Sequence, residues 1–324
     1  MNKLISKEKA YSNIDYIEII KFVVVGVIIM LFQYSCSSTN PSDHKKDDHW
    51  QPGKEFTVAH GWIEIGVGDM PLVISAPHGG TLEPEEISDR SCKGSTTVRD
   101  LNIDKLAFNI REELQEENGT QPSVVVARIA RKKVDFNRSL DQATCGNETM
   151  NQTWKVYHAY IDSALSRAVK KYGYAIFIDL HGHGHKNQRL EIGYKPTKGK
   201  LKEMYLDSSK ASEMASETSV ANLLDIKDLK ISSLLWGKNS FGTLMTQKGF
   251  AAVPSRDDPY PLKKESYFTG GYNTRRYTSN EYPNVFGWQI EANYKGVRDA
   301  EGRPKFAQAF AKAILTYINK NVDQ

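Results

Sequence analysis

Tyr174-Ala-Ile-Phe-Ile-Asp-Leu-His-Gly-His-Gly-His185 is a short apolar run that leads straight into three histidines alternating with glycines. A run of this length, bounded by glycine, reads as a strand buried on both faces of a sheet. A strand end on a rigid sheet also fixes an imidazole better than a loop does. Pro71-Leu-Val-Ile-Ser-Ala-Pro-His-Gly-Gly80 has the same design, again with a histidine followed by glycines. His78 and His181, with Asp179 beside the second, therefore point to one zinc site. Zinc takes imidazole nitrogen and carboxylate oxygen, and a catalytic zinc keeps three protein ligands and one open position. The third ligand is expected to be a carboxylate.

Working outward, Trp62–Val67 and Leu72–Ala76 read as a strand pair turned at Gly68-Asp69, and Leu101–Leu114 carries apolar residues at helical spacing. Ser123–Arg128 reads as a strand, Trp154–Tyr172 as an amphipathic helix, and Ile231–Gln247 as another helix. Phe250–Val253 and Phe286–Ala292 read as strands, and Lys305–Asn319 as a closing helix. This β-then-α alternation predicts an α/β fold, a three-layer α/β/α sandwich around a mostly parallel or mixed central sheet. Functional groups of such folds gather beyond the carboxyl ends of the strands.

The 324 residues, 40% apolar and 25% charged, are ordinary globular material. A net charge of +4 arises from interspersed acids and bases, with no basic stripe for nucleic acid. Phe22–Phe32 is an uncharged run of eleven behind Lys3, Lys7, Lys9 and Lys21. It fits a signal-peptide core, or a signal anchor if its flank inserts too. Residues 1–37 are thus expected to direct export, 38–55 to form a polar linker, and 56–324 to form one catalytic domain. The expected location is extracellular, or membrane-anchored through residues 22–32. Cys36 lies in a poor lipoprotein context, and Cys92 and Cys145 are the two cysteines of the expected folded body, which in an oxidising compartment points to a single disulfide. The sequons at Asn118, Asn147 and Asn151 agree with a glycosylated secretory protein.

No glycine-rich phosphate loop and no Gly-x-Ser-x-Gly elbow occurs, which argues against an ATPase, a dinucleotide enzyme and a serine esterase of the α/β-hydrolase type. Glu291, between Ile290 and Ala292 in an apolar strand, is costly to bury unless it is paired, bound to metal or used as a base.

Six fragments in this order resemble the N-formylglutamate amidohydrolase family, a branch of the zinc-carboxypeptidase-like fold. They are Ser75-Ala-Pro-His-Gly-Gly80, Arg99-Asp-Leu-Asn-Ile-Asp-Lys-Leu106, Val134-Asp-Phe-Asn-Arg138, Ile178-Asp-Leu-His181, Gly270-Gly-Tyr-Asn-Thr-Arg-Arg-Tyr277 and Gln289-Ile-Glu-Ala-Asn293. The resemblance implies a zinc hydrolase acting on an amide such as N-formyl-glutamate, with His78 and His181 as ligands. Zinc carboxypeptidases place a glutamate ligand three residues after the first histidine, where this chain has Thr81. Asp100 ranks first as the third ligand, ahead of Glu83 and His183, with Asp104 a neighbour on the helix.

By the same resemblance Glu291 is the general base, and Asn137 with Arg138 clamps a substrate carboxylate. Arg275 or Arg276 holds a second carboxylate or steadies the oxyanion, and Tyr272 closes the pocket. The expected partner is a small molecule or peptide bearing carboxylates, with no nucleic acid. The competing readings are a secreted zinc carboxypeptidase or γ-glutamyl hydrolase, and an extracellular binding protein without turnover.

Overall fold

The computed structural model describes residues 50–323, and those from Gln51 onward form one unit. The hydrophobic run 22–32, Cys36 and residues 38–49 of the expected linker lie outside the described residues. Among the described residues no helix is long and apolar enough to cross a membrane.

Eight strands form one mixed sheet: β1 (Glu55–Val58), β2 (Ile63–Gly66), β3 (Leu72–Ala76), β4 (Ser123–Ala127), β5 (Ala175–Gly182), β6 (Leu190–Gly193), β7 (Ala252–Val253) and β8 (Val285–Ala292). Their spatial order is β1-β2-β4-β3-β5-β8-β6-β7. The central strands β4, β3, β5 and β8 run parallel, whereas β2 and β6 join them antiparallel.

Because side chains alternate across a strand, each central strand serves two layers. Leu72, Ile74 and Ala76, then Ile176, Ile178 and Leu180, then Phe286, Trp288, Ile290 and Ala292 enter one large apolar core. There they meet α1 (Ile103–Asn118) and, near the C-terminus, a long helix over Gly302–Asn321. Burying each such Ile, Leu or Phe contributes roughly 1.5–3 kcal/mol. The alternate positions carry Ser75, Asp179, His181, Gln289 and Glu291. That face packs against α2 (Glu148–Tyr172) and α3 (Tyr272–Tyr277), as in the contact of the Phe177 and Tyr277 rings, whose centroids lie 4.8 Å apart at an interplanar angle of 55°. The helix over Gly302–Asn321 is α4. The α/β/α layering and mixed sheet agree with the sequence reading.

Three local expectations are corrected. β2 and β3 are not a pair, because β4 lies between them, antiparallel to β2 and parallel to β3. The turn at Gly68-Asp69 closes instead on the start of β4, where Asp69 N–H donates to the Gln121 carbonyl at 2.9 Å. The helix expected over Ile231–Gln247 is two, Ile231–Trp236 and Phe241–Gln247. It breaks at Gly237, where a Cβ would lie 2.4 Å from the Ser233 carbonyl oxygen, and restarts under the Ser240 cap. α2 starts six residues earlier than Trp154, because the Asn147 side chain accepts the Met150 N–H and caps it there.

Cys92 and Cys145 are joined in a disulfide. Together with Arg90, which donates to the carbonyls of Arg131 and Gln142, it ties the loop before α1 to the segment that carries Arg131, Asp135 and Asn137.

Candidate active site

Three neighbouring strands deliver the polar groups to one end of the sheet. His78 follows β3, His181 lies on β5, and Glu291 on β8 stands in register directly opposite His181. Asp100 comes from the loop before α1, donating its N–H to the His78 carbonyl (3.0 Å) and accepting the Gly182 N–H at Oδ2 (3.1 Å). Gly79 and Gly80 are needed for this crossing. A Cβ on Gly80 would fall 2.1 Å from the Ile129 carbonyl oxygen, and one on Gly79 would fall 2.7 Å from the Asp104 nitrogen.

Nδ1 of His78, Nδ1 of His181 and Oδ2 of Asp100 form a triangle with sides of 3.0, 3.4 and 3.5 Å. All three residues are buried. Two imidazole nitrogens and a carboxylate oxygen are donors of the zinc type, and bonds of about 2.0–2.1 Å at tetrahedral angles give ligand separations of roughly 3.3 Å. The triangle fits a divalent ion of that kind.

The far nitrogen of each histidine is fixed. His78 Nε2 bonds Asp135 Oδ1 at 2.7 Å, and His181 Nε2 bonds Asp179 Oδ2 at 2.8 Å. Such carboxylates set the tautomer and aim of a ligating imidazole. Asp135 is held by Arg131 Nε (3.0 Å) and the Asn137 N–H (3.0 Å), and Asp179 by Ser75 Oγ and by Asn273 Nδ2 at 3.3 Å. Asp135→Asn is expected to weaken metal binding about 10–100-fold, as read by competition with a chromophoric chelator.

Burial pushes Asp100 upward, but the hydrogen bonds from His181 and His78 outweigh it and hold the carboxyl well below its usual range. Burial disfavours the His181 cation, yet Asp179 and Asp100 raise its proton affinity well above that of an ordinary histidine. A ligating imidazole must shed that proton, so metal affinity falls with acid. Apparent zinc affinity is expected to rise about tenfold per pH unit from pH 6 to 7.5 for one proton displaced. A flat profile in the same chelator competition contradicts this.

Glu291 is pushed up to about 8, first by burial and then, against the pull of His181, by the nearby Asp100, Glu191 and Asp179 carboxylates. Gln289 orients it, donating Nε2 to Glu291 Oε1 (2.9 Å) while its own Oε1 accepts the Gly271 N–H (2.7 Å).

These groups line a cavity of about 370 Å³ together with Asn137, Arg131 and Arg138. Asn137 Nδ2 lies 3.1 Å from His181 Nε2, and Arg138 Nη1 donates to the Asn137 carbonyl at 2.9 Å. Arg131 Nη1 is 4.0 Å from Asp100 Oδ1.

The structure brings together His78, Asp100, His181, Glu291, Asn137 and Arg138, and leaves other candidates apart. The Arg276 guanidinium is turned to Asp162 (3.5 Å) and the Tyr272 hydroxyl (3.4 Å) over the Trp154 ring. Arg275 is exposed, with Nη2 3.4 Å from Thr269 Oγ1. Neither arginine nor Tyr272 lines the cavity, because α3 turns Asn273, Thr274 and Tyr277 inward. Glu83 is exposed and paired with Lys132, Thr81 faces solvent, and His183 is bonded to the Arg189 carbonyl at 2.9 Å. Asp179 was noted beside His181 but given no role, and Gln289 was missed, although each precedes a candidate by two positions on a strand and so shares its face. Asp135 lay inside the quoted fragment Val134–Arg138 without a role being assigned to it, and Arg131 gave no comparable signal.

No protein-family model matches the chain, and no curated protein matches it. Among solved structures it is similar to the N-formylglutamate amidohydrolase of Ralstonia eutropha JMP134, at 13% identity over 79% of this chain and 95% of that one, with a TM-score of 0.47. It is similar to a gene product of Agrobacterium tumefaciens at 13% identity over 79% and 94% of the two chains, TM-score 0.46. It is also similar to the N-acetylmuramoyl-L-alanine amidase of Clostridium difficile 630 at 13% identity over 78% and 98%, TM-score 0.34.

Proposed function

We propose that this chain is a zinc-dependent amidohydrolase that cleaves an N-acyl amino acid bearing a carboxylate. The observation that carries the reading is the buried His78, Asp100 and His181 triangle beside a buried Glu291 in a cavity edged by two arginines. Against a binding protein without turnover, Asp100 offers beside His78 and His181 the carboxylate donor that Thr81, three residues after His78, does not.

His78, Asp100 and His181 would hold the zinc, which when bound supplies Lewis-acid activation of the amide carbonyl and of water. Glu291 takes a proton from the attacking water and gives it to the departing nitrogen. A carboxyl raised to about 8 is suited to both transfers near neutrality. Gln289 holds the carboxylate in position, and Asp135 and Asp179 hold the imidazoles. Arg138 and Arg131 take the substrate carboxylate, since a planar guanidinium binds it through two parallel hydrogen bonds.

Arg138→Lys is accordingly expected to raise KM about tenfold for an N-acyl amino acid and to leave it nearly unchanged for the corresponding amide, because lysine cannot make the paired contact. Equal effects on both remove Arg138 from substrate binding. The reading itself is tested by assaying the full chain against N-formyl, N-acetyl and N-benzoyl amino acids with and without a chelator. Chelator-sensitive release of the free amino acid is expected, whereas zinc-independent release or none contradicts it.

A further inference from the structure

A second group of possible metal donors, His183, His185 and Glu191, lies beside the cavity. His183 is already committed, its Nδ1 accepting the His185 N–H (3.0 Å) and its Nε2 bonding the Arg189 carbonyl (2.9 Å). Glu191, wholly buried, spends Oε1 on His185 Nδ1 (2.7 Å) and Oε2 on the Phe268 N–H (2.8 Å). This is a fastening for the segment 267–271. The Tyr267 hydroxyl donates to the Ile192 carbonyl (2.6 Å) and the Lys195 N–H to the Thr269 carbonyl (2.7 Å), so the segment is pinned to β6 and the turn after it.

The fastening presents a flat apolar surface. The Phe268 ring stacks on His185 at 4.7 Å with an interplanar angle of 19°, yet the residue keeps 44% of its surface exposed. Phe268 and Tyr267 both line the cavity. Arg131 and Arg138 follow β4, whereas Phe268 is anchored on β6. The sheet order β4-β3-β5-β8-β6 sets His78, His181 and Glu291 between them. One flank of the site is cationic and the other aromatic.

We propose that Phe268, backed by His185 and flanked by Tyr267, is a subsite for an aromatic or comparably large apolar group, resting on the amide-hydrolase reading above. The preferred substrate is then an amide with a carboxylate on one side of the scissile bond and an aryl group on the other, such as an N-benzoyl or N-phenylacetyl amino acid. A formyl group leaves the aromatic flank untouched. Ring stacking and burial in a preformed pocket supply the preference.

The test compares N-formyl-, N-acetyl-, N-benzoyl- and N-phenylacetyl-glutamate as substrates of the zinc-loaded full chain. The same four are titrated calorimetrically into the zinc-loaded Glu291→Gln protein. kcat/KM and affinity are expected to be about tenfold or more higher for the aryl compounds than for the formyl compound. Phe268→Ala should collapse both ratios toward one, and Phe268→Leu should retain part of them. Equal ratios, a formyl preference, or ratios unmoved by Phe268→Ala overturn the subsite and leave the hydrolase reading standing. A Phe268-dependent binding preference without turnover upholds the subsite and overturns the hydrolase reading. No turnover and no binding preference overturn both.

Discussion

Glu291→Gln is expected to lower kcat by roughly 10²–10⁴-fold while zinc content stays at that of the wild type. Loss of a positioned general base costs about that much, and Glu291 is not one of the three triangle donors. Glutamine keeps the size of the side chain and can still bond Gln289, so the loss isolates proton transfer. The same variant makes a second prediction in chelator-stripped protein. The folded-state carboxyl, at about 8, lies above its ordinary 4.5, so its contribution to stability is full at low pH and is lost as pH rises through about 8. Glu291→Gln removes that loss. Its Tm should exceed the wild-type value at pH 9, with the gap closing toward pH 5. A gap of constant size, or near-normal turnover, rejects Glu291 as the buried base.

His181→Ala is expected to abolish zinc binding and turnover together. The imidazole supplies one of three donors, and its removal should exceed the roughly 10–100-fold cost of losing a supporting carboxylate. It also leaves the buried Asp179 without its 2.8 Å partner, so some fall in Tm is expected. Far-ultraviolet circular dichroism separates this from unfolding. Folded protein that has lost zinc yet still hydrolyses the substrate contradicts the assignment, as does folded protein that keeps zinc.

The strands and the alternation were legible because β3, β5 and β8 are buried on both faces, and buried strands write themselves as apolar runs. The triangle was legible in part. His78 and His181 sit at strand ends where a sequence can be read for them, whereas Asp100 was placed by resemblance. Period-two faces were under-used, since Asp179 and Gln289 share faces with His181 and Glu291.

What could not be read depends on tertiary placement. Arg131 and Asp135 stand only four residues apart, yet they lie outside any regular helix, so the sequence did not announce that their side chains meet at 3.0 Å beside the cavity. The Arg275-Arg276 pair was misplaced for a related reason. On a helix of six residues the inward face is fixed by what packs beneath it, and Phe177 takes Tyr277. The β2 to β3 connection looked like a hairpin because both strands are apolar and a Gly-Asp turn joins them. β4 separates them because the fully buried β3 belongs at the centre of the sheet.

The most direct test of the proposed metal centre is the zinc stoichiometry of the chelator-stripped full chain, titrated at pH 7.5 against a chromophoric chelator, beside the His78→Ala, Asp100→Ala and His181→Ala variants. One tight equivalent per wild-type chain, lost in all three variants, is the predicted result. No tight zinc in the wild type, or tight zinc that survives any two of the substitutions, contradicts it.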